Sequence, residues 1–142
     1  MKKKYDVFIS YRRDVSQHDA KLLCDALSSR GYRVFYDSEF KGGTIFNKEL
    51  YKIIGDCRDF ILLLKPTTLD RCVNEDDWVR KELRHALDNG KHIIPLKSPD
   101  FEFPAELPAD IDEVRHCHAL DVNYTYFDAL VTNISKTLIS KP

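Results

Sequence analysis

Long apolar runs are missing from this chain. The longest in its 142 residues is Phe60-Ile61-Leu62-Leu63-Leu64, far short of the roughly 20 residues that carry a helix across a bilayer, so no membrane contact is expected. After Lys2-Lys3-Lys4 there is no apolar core of a secretory leader, and a cytoplasmic address is the expectation. Charge of one sign is also missing: 22 Lys and Arg face 23 Asp and Glu. Nucleic-acid contact, which requires a concentrated basic face, is therefore not expected. The four cysteines Cys24, Cys57, Cys72 and Cys117 form no CxxC pair and have no histidine at zinc-ligand spacing; reduced thiols are expected, and no metal site. Five glycines include neither a P-loop nor a GxGxxG, so a phosphate-bearing ligand has to be held by side chains and helix ends.

What is present is the composition of a folded protein, with 43% apolar and 32% charged residues. The length matches one domain over residues 1–142, with a core at about 5–138, and a chain of this size buries enough surface to fold without a staple. Strand-like and helix-like segments alternate. Residues 5–10 read as a buried strand, and residues 17–30 as an amphipathic helix closed by Gly31. Residues 32–36 form an aromatic strand, followed by a polar loop containing Gly42-Gly43. From Phe46 the apolar positions Phe46, Leu50, Ile53, Ile54 and Cys57 recur at helical spacing, and residues 60–64 form a continuously apolar strand. Continuous apolarity marks a strand covered on both faces, as in a parallel sheet.

Either Asp76 or Asp77 can cap a helix over residues 78–89 that Gly90 ends. A fourth strand is expected at 91–96 with Pro95 near its end, then a weak helix at 109–114, a short strand at 115–118, and a last helix striped by Phe127, Leu130, Val131, Ile134 and Leu138. The order predicts an α/β fold: a flavodoxin-like, doubly wound, five-stranded parallel sheet of order 2-1-3-4-5 with helices on both faces. Ligands in such sheets bind beyond the carboxyl ends of the strands where the order reverses, here between strands one and three. The loops at 11–14 and 65–77 are the ones to inspect.

The first loop reads Ser10-Tyr11-Arg12-Arg13-Asp14. Its guanidinium groups can fork onto phosphate oxygens or pair with nearby carboxylates, and spacing leaves both open. In the second, Trp78 and Glu82 are four apart and share a helix face, while Val79, Leu83, Ala86 and Leu87 define the buried stripe. Trp78 and Glu82 are either a stacking surface with a carboxylate that steadies a developing cation, or a core-edge tryptophan beside an arginine-paired glutamate. A phosphate-receiver domain of the same topology needs an acidic cluster after strand one, where Ser10-Tyr11-Arg12 stands, and is rejected.

Four segments in this order, Tyr5-Asp6-Val7-Phe8-Ile9-Ser10-Tyr11, the double-glycine loop of residues 37–46, Phe60-Ile61-Leu62-Leu63-Leu64-Lys65-Pro66, and Trp78 with Glu82, resemble a Toll/interleukin-1 receptor (TIR) domain. The resemblance covers residues 5–138 and is closest to the NAD-cleaving branch, most like bacterial defence effectors. It implies Glu82 as the catalytic glutamate, Trp78 near the nicotinamide end, and Tyr11, Arg12 and Arg13 at the dinucleotide. It implies a mobile loop of residues 37–46, including Asp37, Gly43 and Phe46, that completes the site in an assembly. NAD+ is then a substrate rather than a cofactor. The implied partners are further TIR domains in an oligomer or filament and a fused or associated sensor domain, in immune or anti-phage signalling. Lys65 stands where a small hydroxyl residue is common.

The chemistry agrees with that role. Nicotinamide leaves NAD+ as a neutral molecule, so no general acid is required, and one carboxylate can steady the oxocarbenium-like ribose. Water gives ADP-ribose; internal attack gives a cyclic isomer. The alternative is a non-catalytic scaffold recruiting other TIR domains, which has no need of an acid at position 82.

Overall fold

Two apolar faces on each inner strand organise the molecule. The structure, a computed structural model, describes residues 4–37 and 44–142, and side chains of the helix that begins at 44 from residue 48 onward. Strands β1 (Val7–Ser10), β2 (Val34–Tyr36), β3 (Asp59–Leu64), β4 (His92–Lys97) and β5 (Leu120–Asp121) form one parallel sheet of order β2-β1-β3-β4-β5. Helices α1 (Arg13–Ser29), α2 (Thr44–Asp56), α3 (Trp78–Asp88) and α4 (Phe127–Thr137) connect or follow them. Val7, Ile9, Ile61, Leu63, Ile94 and Leu96 pack on the face shared with α1 and α4. Their neighbours Phe8, Phe60, Leu62, Leu64 and Ile93 pack on the face shared with α2 and α3. Alternation with both sides apolar is how a continuous run such as 60–64 becomes a central parallel strand. Phe8 stacks on Phe60, centroids 5.5 Å apart.

Glycine ends two helices where the backbone turns left-handed: Gly31 at φ 101° after α1 and Gly90 at φ 65° after α3. The fold class is as the sequence predicts, with four local corrections, the first being that α1 begins at Arg13 and not at residue 17. Phe46 lies inside α2, which begins at Thr44, and not in a loop reaching to 46. The fifth strand is Leu120–Asp121, while residues Asp112–His116 form a 3-10 turn. Pro95 is inside β4 rather than at its end, and β4–β5 pairing begins only after it, at Leu96 and Lys97.

Asp59 ties the start of β3 to the chain's last residues. It is fully buried, and its carboxylate accepts from Ile139 N at 3.1 Å, Ser140 N at 2.9 Å and Ser140 Oγ at 2.6 Å, and bonds His92 Nδ1 at 2.7 Å. Asp59→Ala leaves these donors unanswered, and a stability loss of about 3 kcal/mol is expected in urea unfolding. A shift below about 0.5 kcal/mol would show that residues 139–140 are not held this way.

Candidate active site

Strand order reverses between β1 and β3, and a cavity of about 430 Å³ opens there. Tyr11, Arg12, Arg13, Asp37, Trp78 and Glu82 all line it. Their convergence follows from the topology: the first three leave β1, Asp37 follows β2, and the last two ride the first turns of α3. Of the other candidates, Gly43 lies outside the described residues, and Phe46 is placed by backbone alone, in the first turn of α2.

Asp77 starts α3 as its N-cap, accepting from Arg80 N at 3.0 Å. Val79, Leu83 and Ala86 then turn to the sheet and are buried, with Leu87 half-buried. That register brings Glu82 inside as well, only 8% exposed. Its Oε1 accepts from Ser10 Oγ at 2.7 Å. Burial pushes the Glu82 carboxyl up to about 8; the Ser10 bond opposes this, and the nearby acids Asp37 and Asp77 add to it. Trp78 is half-buried at the second core, with the Lys81 ammonium 5.2 Å from its ring centroid.

Both arginines pair with carboxylates. Arg12 is 5% exposed; its Nη1 and Nη2 reach Asp77 at 2.5 and 3.1 Å, and Nε and Nη2 donate to Thr68 O at 3.1 and 2.6 Å. Burial acts to raise the Asp77 pKa, but the Arg12 and Arg80 N–H bonds outweigh it and hold it below the usual carboxylate range. The Arg13 guanidinium lies 3.7 Å from the Asp37 carboxylate and donates to its carbonyl at 3.5 Å. Tyr11 Oη also donates to that carbonyl, and burial raises its phenol to about 12. Across the rim, Arg71 pairs with Asp14.

Ser10 and the Arg12–Asp77 pairing escaped sequence reasoning. A hydroxyl ending an otherwise apolar strand at the reversal point was the available signal for Ser10. The partner of Arg12 had none, because 65 residues separate the pair.

A sequence profile described as TIR domain matches residues 7–132. The chain belongs to the TIR domain family. This TIR domain is 39% identical over 140 residues to a Caenorhabditis elegans protein named NAD(+) hydrolase tir-1, covering 94% of this chain and 14% of that one. It is 35% identical over 143 residues to Drosophila melanogaster NAD(+) hydrolase sarm1, covering 97% and 10%. The chain thus spans a small part of the length of these curated relatives. Among solved structures, the TIR domain of the Toll-related receptor TRR-2 from Hydra magnipapillata shares the fold, with a TM-score of 0.67 at 21% identity over 96% of this chain and all of that one. Among the described residues, no helix is long and apolar enough to cross a membrane.

Proposed function

We propose that this TIR domain is an NAD+ glycohydrolase in which Glu82 is the catalytic carboxylate and the 430 Å³ cavity receives the nicotinamide riboside end of the dinucleotide. The observation that carries the reading is a buried glutamate, bonded to Ser10, in the wall of an open cleft at the switch point. The names of the nematode and fly relatives support the choice of substrate.

In this reaction the bond between ribose C1′ and the nicotinamide nitrogen breaks, and its electron pair leaves with neutral nicotinamide. Positive charge then develops on the ribose. Ionised Glu82, held in orientation by Ser10, stabilises that charge without reorganisation. Water adds to C1′ and releases a proton to give ADP-ribose, or an internal nucleophile of the substrate adds instead to give a cyclic isomer. Trp78 supplies an aromatic wall beside the leaving ring. Tyr11 and Arg13, which line the same cavity, take the rest of the dinucleotide, and the segment of residues 37–46, with Gly43 and Phe46, completes the site in a self-assembled array. The protein acts in the cytoplasm, in immune signalling, as part of a longer chain or complex with a sensor.

The experiment is nicotinamide release from NAD+ by concentrated protein across pH. Below about 8 the free Glu82 holds a proton, whereas the pyridinium cation of the substrate favours its ionised form. Values of kcat/KM should therefore climb by about tenfold per pH unit from pH 6 and level off near 8. A profile that falls over this range would remove the carboxylate from the mechanism.

A further inference from the structure

Lys65 lies outside the cleft and has no part in the chemistry above, yet it reaches the helix that builds one wall. Helix α1 is broken at Ser16, whose φ of −129° and ψ of 20° are not helical. Before the break, a single turn carries Arg13 and Asp14 into the cleft lining; after it, the helix runs on the sheet through Ala20, Leu23 and Leu27. At a break of this kind the ladder weakens, and a side-chain donor to a carbonyl beside it ties the two segments together. Ser16 does not supply that donor, since its hydroxyl is buried without a partner. Lys65, the residue after β3, does: Nζ donates to Val15 O at 3.4 Å and pairs with Asp19 at 2.8 Å, one contact on each side of the break. Asp19 is in turn in contact with Tyr124, whose phenol is raised by burial first and by that carboxylate second.

We propose that Lys65, anchored by Asp19, is a positioning residue that clamps the break in α1 and so sets where Arg13 and Asp14 stand at the cleft. Two facts set it apart from an ordinary surface pair, which would be worth less than about 1 kcal/mol and affect nothing remote. Lys65 bridges two segments of one helix, and the two cleft-lining residues of the short segment are themselves paired with other elements, Arg13 with Asp37 and Asp14 with Arg71. Loosening the turn therefore moves both of these anchor points at the cleft. The two amides of that turn that bond Arg12 O, from Val15 at 3.0 Å and Ser16 at 2.8 Å, report on it directly.

The dependence on turnover rests on the NAD+ reading, so the test carries a readout that does not. In Lys65→Met, hydrogen exchange of the Val15 and Ser16 amides should quicken about tenfold while amides in the rest of α1 are unchanged. KM for NAD+ should rise about fivefold with kcat within about twofold, and Lys65→Arg should restore both. Asp19→Asn, which keeps the Val15 contact but removes the charge, should give a smaller change in the same direction. Unchanged exchange at Val15 and Ser16 in Lys65→Met refutes the clamp. Faster exchange without a KM change limits it to local structure and refutes its role at the cleft. Absence of turnover in the wild type removes the NAD+ reading alone, and the exchange result still decides the clamp.

Discussion

Replacing Glu82 by glutamine is expected to slow nicotinamide release by at least about a hundredfold and, in the same protein, to raise the unfolding midpoint at pH 8. The first effect is the usual size for removing one preorganised charge opposite a developing one. The second follows from the proton balance. Glu82 holds its proton up to about pH 8 in the folded state, against an ordinary value near 4.5. A group with a raised folded pKa contributes stability that is full below about 4.5 and is lost as pH rises through 8. Wild type should therefore weaken across that window, by up to a few kcal/mol at about 1.4 kcal/mol per unit of pKa difference. Glutamine has the shape of the acid, can accept from Ser10 Oγ and does not ionise. The two proteins should melt close together at pH 5, separate progressively up to about pH 8, and keep a constant gap above it. Thermal unfolding followed by circular dichroism reads this, alongside turnover on the same samples. A variant that keeps wild-type turnover overturns the proposed site, and one whose midpoint tracks wild type at every pH shows that the acid is not buried at a stability penalty.

Arg12→Ala is expected to lose about 3–5 kcal/mol of stability rather than substrate affinity alone, because it strands a buried carboxylate. Arg12 and Asp77 are 6% and 7% exposed at their side chains, so solvent screens the pair little. Asp77→Ala should lose as much again and also the cap of α3. The double variant should lose less than the two single losses together, since neither charge is then left alone. The contribution of the pair is full above the ordinary carboxylate value near 3.8 and disappears as pH falls from there through the lowered Asp77 pKa. Urea unfolding at pH 7 measures the cycle. The opposing result is a normal midpoint with a raised KM for NAD+, which would return Arg12 to direct substrate contact and make Asp77 only its resting partner.

That second case also shows how far residue patterns reach. Arg12 and Arg13 follow a strand at the reversal point, which is enough to bring them to the cleft, and the structure does so. Whether they face a ligand or a carboxylate was open from spacing, because it depends on Asp77 and Asp37, which chain folding delivers from separate elements. The fifth strand was misplaced for a related reason. With two residues it has no periodicity of its own, and only pairing to Leu96 and Lys97 defines it. Phe46 carried two readings, the end of the loop that the family resemblance implies and the first position of a helical spacing, and the structure places it in the helix.

Local chemistry determined the alternation of strands and helices, the two covered faces and the glycine stops of α1 and α3, because each depends on short-range periodicity or on one residue's backbone preference. The sheet order followed from that alternation only through the rules for connecting parallel strands, and the cap of α3 was narrowed to Asp76 or Asp77. Local spacing also put Trp78 and Glu82 one turn apart. The burial of Glu82, its bond from Ser10 across 72 residues, the burial of Arg12 against Asp77 and the reach of Lys65 over the break in α1 were decided only by tertiary structure. These are pairings between distant segments, and their energies depend on exclusion of water, which no stretch of chain achieves until the elements have packed.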